Sequence, residues 1–139
     1  PCPNQHALEL LVSTKQQRVR DLINTSLEPL AGMDAFIRWA KSRFPIALVT
    51  SGSRETVTLA LNRLGYNSFF QAKIFAEDVK ACKPDPEGFL LALQTLNCAR
   101  EDALVFEDST SGFKAAARAN IECVDVHSID FSLGYLNNK

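Results

Sequence analysis

From residue 33 to residue 126 the sequence alternates short apolar runs with helix-patterned stretches of about ten residues, and this rhythm constrains the fold more than any other feature. Residues 45–50, 72–75, 103–106 and 121–126 read as buried strands. Between them, residues 33–43 set Met33, Phe36, Ile37 and Ala40 on one helical face, and residues 54–64 do the same with Val57, Ala60, Leu61 and Leu64. Residues 86–96 repeat the pattern with Phe89, Leu90, Leu93 and Leu96, and residues 111–119 form a further helix. Gly65 stands where a left-handed residue ends a helix, and Pro86 where proline can begin one. This spacing predicts βαβ crossovers, hence an α/β fold with a parallel sheet flanked by helices. Ligands of such sheets gather at the carboxyl ends of the strands, so chemistry is expected just past each strand.

Ahead of the alternation, residues 7–27 carry Leu8, Leu11, Val12, Val19, Leu22 and Ile23 at mainly helical spacing, which predicts an amphipathic helix or helix pair. Glu28-Pro29-Leu30-Ala31-Gly32 breaks it, because proline lacks an amide donor and restricts the residue before it. A domain boundary is expected near Pro29. After the last strand, residues 128–139 are polar and weakly patterned. With 139 residues, 46% hydrophobic and 22% charged, the chain is long enough to bury a core without a disulfide or metal. Fifteen basic and sixteen acidic side chains leave a net charge of −1 with no basic block, which argues against a nucleic-acid partner. No apolar run approaches the ~20 residues that span a bilayer, so no membrane partner is expected. Cys2, Cys82, Cys98 and Cys123 are scattered singly, without a Cys-x-x-Cys pair or metal-ligand spacing to His6 or His127. That pattern predicts reduced thiols and a cytoplasmic protein.

Three strand ends carry candidate chemistry. In Val49-Thr50-Ser51-Gly52-Ser53-Arg54, hydroxyl and backbone donors of Thr50, Ser51 and Gly52 precede a helix start whose partial positive charge suits an anion such as phosphate. The same hydroxyls also suit plain helix capping by Ser51 or Ser53. In Lys83-Pro84-Asp85-Pro86 the prolines stiffen the segment, so Lys83 is presented from a fixed backbone, as a phosphate-binding ammonium or as a surface lysine in a helix-starting turn. In Val105-Phe106-Glu107-Asp108-Ser109-Thr110-Ser111-Gly112, two adjacent carboxylates end an apolar strand. They repel one another unless a cation or a lysine sits with them, and oxygen-only ligation of this kind suits Mg²⁺. Alternatively, Asp108 caps the following helix.

In this order and spacing, the three segments resemble the haloacid dehalogenase superfamily, in particular its β-phosphoglucomutase-like and sugar-phosphatase-like members, over about residues 8–126. Thr50 is similar to that family's second motif, with Ser51 one residue away, Lys83 to the third, and Glu107-Asp108 in Phe-Glu-Asp-Ser-x-x-Gly to the fourth. The resemblance implies a Rossmannoid parallel sheet and a small phosphorylated metabolite as substrate. By it, Thr50 positions the phosphoryl group, Lys83 offsets its charge, and Asp108 holds Mg²⁺ with Glu107 as ligand or support. Residues 1–28 then resemble the remnant of a helical cap, and 29–139 an incomplete core domain.

One part of the family pattern is absent. The nucleophile lies in an Asp-x-Asp motif after the family's central first strand, and no Asp-x-Asp occurs in this sequence. Glu9, Asp21 and Glu28 precede Pro29 but follow no strand-like run, and Asp125 and Asp130 lie beyond the fourth motif. The expected sheet is therefore two halves with unpaired inner edges, each unpaired buried backbone group costing about 1–3 kcal/mol. With the non-Met start, this leads to the expectation that an N-terminal segment has been removed, lies outside this sequence or belongs to another chain. Exposed inner edges also favour pairing with a second copy. The expected function is the C-terminal portion of a Mg²⁺-dependent phosphatase or phosphomutase, without turnover alone. The alternative is a non-catalytic interaction or structural module with the same surface.

Overall fold

The computed structural model describes residues 5–131. Nine regular elements follow one another: α1 (Gln5–Ser26), α2 (Met33–Lys41), β1 (Ala47–Val49), α3 (Arg54–Leu64), β2 (Ala72–Ile74), α4 (Glu87–Leu96), β3 (Leu104–Glu107), α5 (Thr110–Ala119) and β4 (Glu122–Asp125). Short 3₁₀ turns at Ala76–Asp78, Arg100–Asp102 and Val126–Ser128 complete the described chain. The apolar segment before Pro29 is one helix, and Pro29 and Gly32 lie in the break behind it, Gly32 with a φ of 75°.

The strands pair in parallel, β1 with β2 (Ala47 opposite Ala72) and β3 with β4 (Leu104 opposite Glu122). Among the described residues no ladder joins β1 to β3, so the sheet is two halves, as the sequence pattern led us to expect. The strands are shifted or shorter than the apolar runs for local reasons. The Ile46 amide donates to the Gln71 side chain at 2.8 Å rather than to a strand, and the Ala103 amide closes the preceding 3₁₀ turn on Arg100 at 3.2 Å. Consequently β1 begins at Ala47 and β3 at Leu104, and β3 runs on to include Glu107.

Helices hold the halves together. Phe89 of α4 and Ala115, Ala116 and Ala119 of α5 form a buried cluster with Ile121, and Val49 of β1 and Val105 of β3 both pack against it. Three alanines in a row of helical turns let α5 approach closely, since each side chain ends at Cβ. A second cluster, Leu61, Tyr66 and Phe69, gathers Ile37, Ile46, Leu48 and Val57 and fixes α2 and α3 on β1. On the other half, Phe36 of α2 meets Phe106 edge-on at 5.1 Å and Phe131 at 4.9 Å. Coverage is still incomplete: Leu104 and Phe106 are 48% and 40% exposed, in a type of sheet whose strands are normally buried on both faces.

The first helix lies along α3, with Ile23 buried and Arg20 paired to Glu55 at 2.8 Å. Leu8, Leu10, Leu11, Val12 and Leu22 are exposed, while Val19 is half-buried. No helix among the described residues is long and apolar enough to cross a membrane. Cys82, Cys98 and Cys123 are free thiols, while Cys2 and the tail from residue 132 lie outside the described residues.

Candidate phosphoryl-transfer site

The carboxyl ends of β1 and β3 open onto a cleft of about 370 Å³ lined by Thr50, Ser51, Lys83, Glu107, Asp108, Ser109 and Ser111, with Leu48, Val49, Phe106 and Val126 as its apolar wall. Three segments that lie far apart in the sequence, each singled out there, therefore meet in one place. Gly52 is not part of the lining. It sits behind Thr50, donating its amide to Thr50 Oγ1 at 3.0 Å, and a Cβ on it would come within 2.8 Å of Val57.

Lys83 occupies the floor of the cleft. Its Nζ donates to the Val49 carbonyl at the end of β1 at 3.0 Å and pairs with Glu107 Oε1 at the end of β3. One ammonium thus ties together the two half-sheets that no ladder joins. The side chain is 12% exposed, and its Nζ lies 5.0 Å from the Phe89 ring centre. The Lys83–Pro84 peptide bond is cis. Behind it, Arg118 donates to the Pro84 carbonyl at 2.8 Å, and Glu87 Oε2 accepts from the Lys80 and Ala81 amides at 2.9 and 3.0 Å, so the loop is anchored at both ends.

The two adjacent carboxylates have different environments. Glu107 is 7% exposed, and its Oε2 accepts from the Asp108 amide (3.0 Å), the Ser109 amide (3.0 Å) and the Ser109 hydroxyl (2.9 Å) while Oε1 faces Lys83. Burial pushes its carboxyl up, but Lys83 and the Ser109 donors outweigh it and hold the group below the usual carboxylate range. The Asp108 carboxylate is exposed in the cleft and makes no hydrogen bond or ion pair among the described residues. It is Ser109, not Asp108, that caps α5, accepting from the Gly112 amide at 3.0 Å.

Three features of this arrangement become visible only in the fold. Ser109 both caps α5 and donates to Glu107, a double use visible only once the turn is folded. Gly112 is buried against the Glu107 carboxyl, which a Cβ there would overlap. Glu77 meets the start of α3, both its oxygens accepting from the Arg54 amide at 3.0 Å, while Ser53, one of the two cap candidates in the sequence, caps α3 by accepting from the Thr56 amide at 3.4 Å. The positive end of α3 is thus already answered by a carboxylate, leaving the Thr50 and Ser51 hydroxyls as the β1 contribution to the cleft.

The donor set suits a divalent cation of the Mg²⁺ kind only in part. Such an ion takes one or two protein carboxylates and completes its shell with water and phosphate oxygens. Asp108 offers an unengaged carboxylate at the right place, whereas no group of three or more His, Cys, Asp or Glu among the described residues could hold an ion alone. Asp108, with Glu107 beside it, fits as the protein's share of such a shell.

Comparison with known proteins agrees with this geometry. The sequence model of the haloacid dehalogenase-like hydrolases matches residues 3–126. The validoxylamine A 7'-phosphate phosphatase of Streptomyces hygroscopicus subsp. limoneus is 41% identical over 92 residues, which is 66% of this chain and 43% of that one. The phosphorylated carbohydrates phosphatase of Thermotoga maritima is 35% identical over 127 residues, 89% and 59% of the two chains, and the fructose-1-phosphate phosphatase of Escherichia coli 34% over 116 residues, 84% and 61%. The crystal structure of CbbY from Rhodobacter sphaeroides in complex with phosphate superposes with a TM-score of 0.74 at 25% identity, covering 88% of this chain and 56% of that one. The chain thus spans between 43% and 61% of the length of these three curated relatives.

Proposed function

The chain belongs to the haloacid dehalogenase-like hydrolase family, and on that premise we propose that it is the C-terminal portion of a Mg²⁺-dependent phosphatase or phosphomutase acting on a small phosphorylated sugar. The observation that carries this reading is the Lys83 ammonium fixed between the ends of β1 and β3, in a cleft also faced by the Thr50 and Ser51 hydroxyls and the unengaged Asp108. A dianionic phosphoryl group needs fixed positive charge and hydroxyl donors at short range, and all of these converge here. The sugar-phosphate class of the substrate is supported by two of the relatives named above, a phosphorylated carbohydrates phosphatase and a fructose-1-phosphate phosphatase.

In this reading the Thr50 hydroxyl orients the phosphoryl group, Lys83 neutralises charge that builds on it, and Asp108 holds the cation. Mg²⁺ when bound supplies further charge neutralisation at the phosphoryl oxygens. No side chain of the described cleft can serve as the attacking carboxylate: Glu107 is committed to four partners, and Asp108 belongs to the cation. The nucleophile is an aspartate supplied on a strand from outside these residues, seated between β1 and β3. Residues 1–28 are then the remnant of a cap and 29–139 the rest of the core.

Amide-resolved NMR of the 139-residue chain titrated with inorganic phosphate and Mg²⁺ tests the site. Saturable shifts are expected at Thr50, Ser51, Asp108 and Ser109, with the Mg²⁺ dependence removed in Asp108→Asn. Shifts confined to other surfaces, or none, would overturn the assignment.

A further inference from the structure

We propose that Gly112 is a positioning residue for Lys83, acting through Glu107: by carrying no side chain it lets the Glu107 carboxyl lie against the first turn of α5, and that carboxyl sets where the ammonium stands. The inference rests on reading the cleft as a phosphoryl-transfer site.

Glycine inside a helix costs about 1 kcal/mol relative to alanine, so its presence there calls for a reason. Backbone conformation does not supply one. Gly112 is the third residue of α5, and the left-handed glycines among the described residues are Gly32 and Gly65. Capping does not supply one either, because Ser109 performs it and any residue with an amide could receive it. Space does. A Cβ at 112 would overlap the carboxyl carbon and both carboxylate oxygens of Glu107.

Glu107 has no easy retreat from such a Cβ. Its Oε2 is held by the Asp108 amide, the Ser109 amide and the Ser109 hydroxyl, and its Oε1 by Lys83. Moving the carboxyl breaks those bonds together and leaves Lys83 Nζ with the Val49 carbonyl alone. The ammonium would then swing on its own stem instead of standing at a fixed point of the cleft. Shortening the acid by one methylene, as in Glu107→Asp, withdraws the carboxyl from the space that a Cβ at 112 would enter. That withdrawal also takes the carboxyl from Lys83, so the two changes act on one contact and should not add.

The test uses the full chain and the variants G112A, E107D and G112A/E107D. Each is acetylated with an N-hydroxysuccinimide ester, lysine by lysine, with and without inorganic phosphate, and the rates are read by mass spectrometry. In the parent chain Lys83 should react more slowly than the exposed Lys15 and Lys114 and should be protected further by phosphate. G112A should raise the Lys83 rate on the order of tenfold, the protection one charge-assisted hydrogen bond gives, and abolish the phosphate protection, with Lys15 and Lys114 unchanged. E107D should do the same by withdrawing its carboxyl from Lys83, and G112A/E107D should match E107D rather than exceed it. A glycine that serves only the packing of α5 would leave phosphate protection of Lys83 intact in G112A, and that result overturns the proposal, as does a Lys83 rate in G112A/E107D well above that of E107D. Should G112A not fold, E107D and G112A/E107D are compared directly: equal Lys83 rates in folded protein are expected, and unfolding of the double variant overturns the proposal. If instead the phosphoryl-transfer reading is at fault, phosphate protects Lys83 in no variant, while the labelling rates still report on Gly112.

Discussion

At the scale of single residues, the site is organised around one buried ion pair. Lys83 and Glu107 are both largely removed from water, so each depends on the other and on the donors around Ser109. Removing one partner of a buried pair leaves an uncompensated charge. Glu107→Gln should accordingly lower the stability of the chain by about 3 kcal/mol at neutral pH. Because the Glu107 carboxyl is held below its ordinary value, its contribution is complete above the unfolded value of about 4.3 and is lost as pH falls through the lower folded one. Urea unfolding at a series of pH values should show the parent and Glu107→Gln chains converging in stability on the acid side, and a gap that persists unchanged into acid would contradict this. The residue types of the site were legible in the sequence because Thr50 and Asp108 each follow a strand and Lys83 stands in the proline-stiffened loop that leads into α4. The division of labour between Glu107 and Asp108 was not legible. It is set by which carboxylate reaches Lys83 across 24 residues of chain, a tertiary distance that adjacency in sequence does not encode.

At the scale of elements, three of the helices end alike. α3, α4 and α5 each stop at a residue in the left-handed region, Gly65 (φ 73°), Asn97 (φ 51°) and Asn120 (φ 56°), whose amides fold back on the preceding carbonyls. Glycine takes this conformation without steric cost and asparagine more readily than most residues. Asn120→Ala should therefore cost about 1 kcal/mol in thermal or urea unfolding, and Asn120→Gly should cost nothing or gain a few tenths. Equal stability of the alanine and glycine variants would contradict the capping account. Gly65 announced its helix end in the sequence, as glycine after a periodic apolar run does, while the two asparagines, which are common in loops for other reasons, did not. Strand ends were blurred in the same way: the apolar runs marked where strands lie, but the Gln71 side chain and the 3₁₀ turn at Arg100–Asp102 decided where the ladders begin. A link of the same long-range kind joins α2 to the loop after α3, where Tyr66 donates to Asp34 at 2.7 Å and burial, with that carboxylate, pushes the phenol up to about 12.

At the scale of the whole molecule, two parallel strand pairs are held by α4 and α5 and bridged at their carboxyl ends by Lys83. The alternation of strands and helices made the α/β class readable, and the family resemblance without an Asp-x-Asp led to the expectation of a split sheet, matched by the two separate ladders among the described residues. Leu104 and Phe106 are apolar strand surface only partly covered among the described residues, Phe106 by the Phe36 ring. On this account the cleft is a phosphoryl-transfer site complete in its charge-handling groups and dependent on an aspartate carried by an inserted strand. The direct measurement is hydrolysis of a small phosphorylated sugar with Mg²⁺, by the 139-residue chain and by the same chain fused at its N-terminus to a segment bearing an Asp-x-Asp strand. Turnover is predicted for the fusion alone, and is predicted to vanish when the first aspartate of that strand becomes asparagine. Turnover by the 139-residue chain itself, or none by either protein with both correctly folded, would contradict the account.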